Sequence, residues 1–139
     1  LESRGLGDVY KRQTHQNRFF TKTYFRKVSE LEIKAQSIQY TSLRILSSLK
    51  EGDSPGPESS MMKTLVTDLE QEISELTLDV IGYYGIPFQD TGYGSNKTAI
   101  GDEDYRSVAG KYQNLRATTI YGGSNEIQRN IMAKAVLGL

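Results

Sequence analysis

The chain has 139 residues, 17 Lys and Arg against 17 Asp and Glu, one His and no Cys. A chain of that length suits a single domain and can bury roughly two thirds of its unfolded surface. Balanced charge gives no long-range field toward nucleic acid or an anionic membrane, and the lack of Cys excludes a disulfide framework and a thiolate metal site.

The lone His15 cannot build a zinc site by itself and reads as a surface residue near a frayed end. No apolar run approaches the roughly 20 residues needed to span a bilayer, and no secretory signal opens the chain. The expectation is a soluble, cytoplasmic protein without a metal, a nucleic-acid partner or a membrane anchor.

The first stretch, LESRGLGDVYKRQ, lacks an initiator Met and shows no sustained helical or strand period. Residues 1–16 are therefore read as a non-native or disordered leader, and 17–139 as the domain. From about residue 18 the apolar residues fall into register at Tyr24, Val28, Leu31, Ala35, Ile38, Ile45 and Leu49, with Ser42 interrupting the row. Spacings of three and four predict one helical stripe. The helix should run about 30 residues, or roughly 45 Å.

Gly52 to Pro57 should end that helix, with Pro57 placed as the first residue of the next and Glu58 at its positive end. The second stripe is Met62, Leu65, Leu69, Ile73, Leu76 and Val80, stopped by Gly82. Two long helices joined by a short Gly/Pro loop pack antiparallel, since neither stripe can stay in water. The Gly-rich segment from Gly82 to Asp104 reads as a long loop. Within it, Gly92 to Thr98 lacks the glycine at 96 and the preceding strand that a Walker phosphate loop needs. Asp102, Glu103 and Asp104 lack calcium-loop spacing and read as a cap for a third helix, which carries Tyr105, Val108, Ala109, Tyr112 and Leu115.

A fourth helix follows the run TIYGGSNEIQRN, from Thr119 to Asn130. Ser124 or Asn125 can cap it, with Gln128 three residues after Asn125 as in a capping box, and Ile127, Ile131 and Ala135 form the expected buried stripe. Gly122 and Gly123 place bare backbone before a positive helix end, where an anion or oxyanion could be met. A Gly-Gly turn before a capped helix is also an ordinary tight connection.

The run from Tyr121 to Leu139, YGGSNEIQRNIMAKAVLGL, resembles the last helix of the acyl-CoA dehydrogenase family, and PGPESSMMK (55–63) with EISELTLDVIG (72–82) resembles that family's helical hairpin. The resemblance covers about residues 17 to 139. It implies an all-α, up-down four-helix bundle of the acyl-CoA dehydrogenase C-terminal type, without the family's amino-terminal helical and central β-domains. Family members bind an acyl-CoA thioester against FAD, remove the α-proton with a carboxylate and pass the β-hydrogen to the flavin as hydride. By position, Gly123 and Lys134 match substrate contacts, while Ser124, Asn125 and Glu126 match the segment that touches FAD. Self-association, as a homo- or hetero-oligomer of the full-length protein, is implied in the same way.

Two departures accompany the resemblance. Many members carry the catalytic Glu between the matches to Tyr121 and Gly123, where this chain has Gly122, so no catalytic residue is assigned here. Where the family often has a Gln that holds the cofactor of a neighbouring subunit, this chain has Asp79, whose charge would repel a pyrophosphate. The sequence thus leaves two readings: the C-terminal part of an acyl-CoA dehydrogenase, inactive as a fragment, or a non-catalytic all-α interaction module derived from the same bundle.

Overall fold

The computed structural model describes residues 2–50, 52, 56–89 and 97–138, with side chains from residue 21 onward. Four α-helices dominate: α1 (Glu2–Ser48), α2 (Glu58–Ile81), α3 (Val108–Leu115) and α4 (Asn125–Leu137). Single 3-10 turns at Gly82–Gly85, Glu103–Ser107 and Arg116–Thr119 join them, and no strand occurs among the described residues. The fold is all-α, as the stripes predict.

α1 departs from the expected start near residue 18. It begins at Glu2 and spans 47 residues. Elongating a formed helix adds one hydrogen bond per residue, and Gly5 and Gly7 oppose it by only about 1 kcal/mol each, so the lack of an apolar period does not itself stop the helix. The side chain of His15 lies outside the described residues.

α1 and α2 are antiparallel. Tyr24 donates its hydroxyl to the Asp79 carbonyl at 3.2 Å, Lys27 pairs with Asp79 at 3.2 Å, and Lys34 reaches Glu72 Oε1 at 2.7 Å. These pairs are half-exposed and worth at most about 1 kcal/mol each, so they report the register more than they hold it. The apolar seam between the helices does the holding. Leu69 and Leu76 are each 9 % exposed and face α1, with Leu31 half-buried opposite Leu76.

α2 is buried on a second side that the apolar stripe does not reveal. Ser60, Thr64, Thr67 and Ser74 are all buried. They recur at spacings of four, three and seven, which is one helical face, opposite Leu69 and Leu76. Three of these hydroxyls are satisfied within the helix: Thr64 donates to Met61 O, Thr67 to Lys63 O or Thr64 O, and Ser74 to Gln71 O, at 2.7 to 3.1 Å. Such back-bonding lets a hydroxyl be buried without an external partner. Small side chains there allow α3 and α4 to approach closely, and α2 packs against α1, α3 and α4 alike.

α3 is reached through the acidic cap the sequence suggests, since Asp102 accepts from the Asp104 amide at 3.2 Å. Ala109 on α3 is 5 % exposed, and Gln71 Nε2 donates to Leu115 O at 3.2 Å. Pro57 sits one residue before α2 rather than at its first position, and Gly82 ends α2 at φ +61°.

α4 is rotated relative to expectation. Ile127 and Ile131 are 54 % and 44 % exposed, and Ala135 is exposed too. The inner face instead carries Asn125, Gln128, Met132 and Ala133. A polar residue opens that face, so a search for apolar periodicity selects the wrong one.

Candidate functional site

The turn between α3 and α4 is built from both ends. Upstream, Thr118 is 2 % exposed and donates to Leu115 O at 2.8 Å. Arg116 ties the same segment to α2 through Glu75 at 2.7 Å, Ser74 Oγ at 2.8 Å and the Gln71 carbonyl at 3.2 Å, with its guanidinium 4.4 Å above the Tyr112 ring. The amides of Ile120 and Tyr121 both bond to Ala117 O, which closes the helical segment. From there the chain leaves the protein body. Ile120 and Tyr121 are 69 % and 57 % exposed.

Gly122 and Gly123 follow at φ +68° and +87°, a region that L-residues enter at a penalty of roughly 1–2 kcal/mol. A Cβ at Gly122 would meet nothing within 4 Å, whereas one at Gly123 would stand 2.5 Å from Gln128 Nε2. That amide donates to Gly122 O at 3.3 Å. Gln128 therefore braces the turn and does not complete a capping box with Asn125. Ser124 is the cap, extended at ψ 154°, its hydroxyl accepting from the Ile127 amide at 3.4 Å.

Asn125, the first residue of α4, points inward and is 3 % exposed. Its Oδ1 accepts from Lys63 Nζ at 2.8 Å and lies 3.3 Å from Thr67 Oγ1, whose one proton has closer acceptors in its own helix. Its Nδ2 donates to Thr67 Oγ1 and to Asp68 Oδ1, both at 3.2 Å. The side chain is fully engaged by α2, so toward any ligand at the turn Asn125 offers its backbone alone.

Glu126 faces outward, and its carboxyl is held below the ordinary 4.5. The largest cause is a hydrogen bond from its own backbone N–H, followed by one from the Ser124 hydroxyl, with Arg129 and Lys63 adding a weaker attraction. A carboxylate stabilised in this way is a hydrogen-bond acceptor and a point charge. Gly123, Ser124 and Glu126 are thus contiguous on the exposed side. Lys134 stands apart, exposed in the last turn and about 12 Å along the axis from Glu126.

Asp79 belongs elsewhere. It pairs with Lys27 at the α1 seam, about 16 Å along α2 from Asp68. Two apolar grooves also lie away from the turn: one of about 360 Å³ between α2 and α3, lined by Ile73, Val108, Tyr112 and Leu115, and one of about 410 Å³ between α1 and α2, lined by Val28, Ala35, Ile73, Leu76 and Val80. No cluster of three metal-ligating side chains occurs among the described residues. Of the Gly92 to Thr98 segment, residues 92–96 lie outside the described residues.

Asn125 and Lys63 were the least legible members of this site. Their relation spans 62 residues and involves no apolar periodicity. Only the small hydroxyl residues of α2, recurring at helical spacing, could have signalled a second face for a polar side chain to enter.

Comparison with known proteins bears on the same residues. The family described as "Acyl-CoA dehydrogenase, C-terminal domain" matches residues 10–137. The acyl-CoA dehydrogenase IpdE1 of Mycobacterium tuberculosis is 38% identical over 106 residues, covering 72% of this chain and 24% of that protein. IpdE1 of Mycolicibacterium smegmatis is 39% identical over 87 residues, covering 63% of this chain and 19% of that protein. This chain accordingly spans a quarter or less of the length of these curated relatives. No solved structure matches it significantly. With the match running through all four helices and the glycine turn, the chain belongs to the acyl-CoA dehydrogenase family, in which it corresponds to the C-terminal domain.

Proposed function

We propose that this chain is the C-terminal part of an FAD-dependent acyl-CoA dehydrogenase that introduces an α,β double bond into an acyl-CoA thioester, and that it is inactive alone. The observation that carries this reading is the exposed turn at Gly122 and Gly123 within a matched family domain. When bound, FAD supplies the hydride acceptor. The turn fits one wall of such a site. Gly122 has open space where a Cβ would be, and the Ser124 hydroxyl and Glu126 carboxylate stand next to it on the exposed side. Asn125 fits only through its backbone.

In this reading Gly123 lets backbone approach the thioester, and Ser124 and Glu126 offer polar contacts to the cofactor. Lys134 is placed to meet the polar part of an acyl-CoA further along α4. Removal of the α-proton needs a base within hydrogen-bond reach. Gly122 has no side chain, and Glu126 is already stabilised as a carboxylate. In this reading the base comes from a segment of the parent protein outside this chain.

Burial supports an incomplete unit. Leu69, Leu76 and Ala109 are the buried apolar residues of the described part, while Phe25, Ile33, Tyr40, Leu46, Ile86 and Phe88 are each 60 to 69 % exposed. Apolar exposure on this scale suits contacts with the rest of the parent and with further subunits, homo- or hetero-oligomeric. No described helix is long and apolar enough to cross a membrane, which suits a cytoplasmic enzyme.

The test has two arms. The 139-residue chain, purified alone, should be helical and colourless; stoichiometric flavin would overturn the fragment reading. The whole polypeptide that carries this domain should be yellow and bleach on addition of an acyl-CoA. If no acyl-CoA bleaches it, the non-catalytic module derived from the same bundle is the better reading.

A further inference from the structure

Between Thr118 and Asn125 every residue of the turn is exposed or half-buried. Its position is therefore set by the two buried polar anchors at its ends, and Asn125 is the one that reaches across to another helix. A carboxamide has two donors and two acceptor positions. Both amide N–H groups are used, on Thr67 Oγ1 and Asp68 Oδ1, and Oδ1 accepts from Lys63. The three partners lie between Lys63 and Asp68 of α2.

The flanking charges fix which way the amide points. Lys63 demands an acceptor and Asp68 a donor, so a flipped amide would set NH2 against an ammonium and oxygen against a carboxylate. Only a group with both functions at this length satisfies both ends. Asp in its place would bring a second carboxylate within 3.2 Å of Asp68 Oδ1, and an aliphatic residue would leave Lys63 and Asp68 without their buried partner.

We propose that Asn125, oriented between Lys63 and Asp68, is a positioning residue that fixes Gly122, Gly123 and Ser124 relative to α2 for the dehydrogenation. This rests on the reading given under Proposed function. Asn125 acts through the turn: its side chain touches neither substrate nor cofactor. An error of about 1 Å in such a wall can slow a reaction on the order of a hundredfold, while ground-state binding, spread over many contacts, changes less.

The experiment uses the whole flavoprotein. Three forms are compared by rapid mixing with an acyl-CoA and by amide exchange: Asn125→Asp, Asn125→Asp combined with Asp68→Asn, and Lys63→Met. The combined variant exchanges carboxylate and amide while leaving Lys63 beside Glu126, so it separates positioning from any electrostatic effect of Lys63. Asn125→Asp should slow flavin bleaching at least about tenfold with acyl-CoA affinity changed less than about threefold, and the combined variant should recover to within about threefold of the parent. Amide exchange should rise across residues 121–127 in Asn125→Asp and Lys63→Met, with α1 unchanged.

Bleaching by Asn125→Asp at the parental rate would overturn the proposal, as would a combined variant no better than the single one. If Asn125→Asp does not hold flavin, Lys63→Met carries the same comparison, and unaltered exchange across 121–127 in that variant refutes the positioning role. A parent that no acyl-CoA bleaches refutes the functional reading instead, while the exchange data still decide whether Asn125 sets the turn.

Discussion

Truncating the leucines of α2 separates the seam that holds the hairpin from the apolar residues that merely flank it. Leu76 and Leu69 are each 9 % exposed. Replacing either by Ala removes three carbons from an apolar site, at about 0.8 kcal/mol each, or about 2.5 kcal/mol before any void is counted. The void then distinguishes them. Leu76 lines the groove of about 410 Å³ between α1 and α2, so the space left by truncation merges with an opening that already exists. Its penalty should remain near 2–3 kcal/mol, the low end for buried leucines. Leu69 does not line that groove, and by the register of the Lys34–Glu72 pair it falls near Ile38. A void there is more enclosed, so Leu69→Ala should reach about 3–4 kcal/mol. Leu31, half-buried, should lose about 1–2 kcal/mol, and Val80, 59 % exposed, less than about 1 kcal/mol. Urea unfolding followed by helical circular dichroism measures all four. A Val80→Ala penalty equal to that of Leu76→Ala, or Leu76→Ala exceeding Leu69→Ala by more than about 1 kcal/mol, would show that the seam is misidentified.

The glycine turn should respond unequally to alanine. Gly122→Ala meets only backbone strain and should destabilise by about 1–2 kcal/mol, while Gly123→Ala must also displace Gln128 from Gly122 O and should be the worse of the two by urea midpoint. Glu126 has its folded pKa below the ordinary 4.5, so its contribution to stability is fully present above that value and disappears as pH falls through the lower folded value. Glu126→Gln should accordingly lower the urea midpoint at neutral pH, with the difference from the parent closing in acid; a difference that widened in acid would reverse the assigned sign.

The helical hairpin, the Gly82 stop, the acidic cap before α3 and the Ser124 cap were readable because each rests on local chemistry, whereas Leu65, Ile73 and Val80 of the expected α2 stripe are 42, 45 and 59 % exposed. What escaped was relational. Ile127 and Ile131 are spaced as a buried stripe and yet lie outward, since the inner face of α4 is chosen by Asn125 entering α2. The hydroxyl face of α2 escaped for a related reason: Thr64, Thr67 and Ser74 are ordinary surface residues by type, and back-bonding to their own helix makes them acceptable inside. At the site, the turn itself was legible from Gly122, Gly123 and Ser124. The inward direction of Asn125 was not, because the same residue could equally have capped the helix.

These two oversights are one physical fact seen from opposite sides. An apolar residue at Thr67 would bury more hydrocarbon, but it would remove the hydroxyl oxygen that accepts from Asn125 Nδ2. A purely apolar α2–α4 seam would tolerate small rotations of α4 with little change in energy, since dispersion is non-directional. Hydrogen bonds to a buried amide tolerate far less, because a rotation that strips one partner leaves a desolvated polar group. The stability forgone in a hydroxyl-lined core is thus exchanged for angular definition of α4. That definition is passed directly to Ser124 and Gly123, the neighbours of Asn125 along the chain, where the proposed function would bring backbone against a thioester.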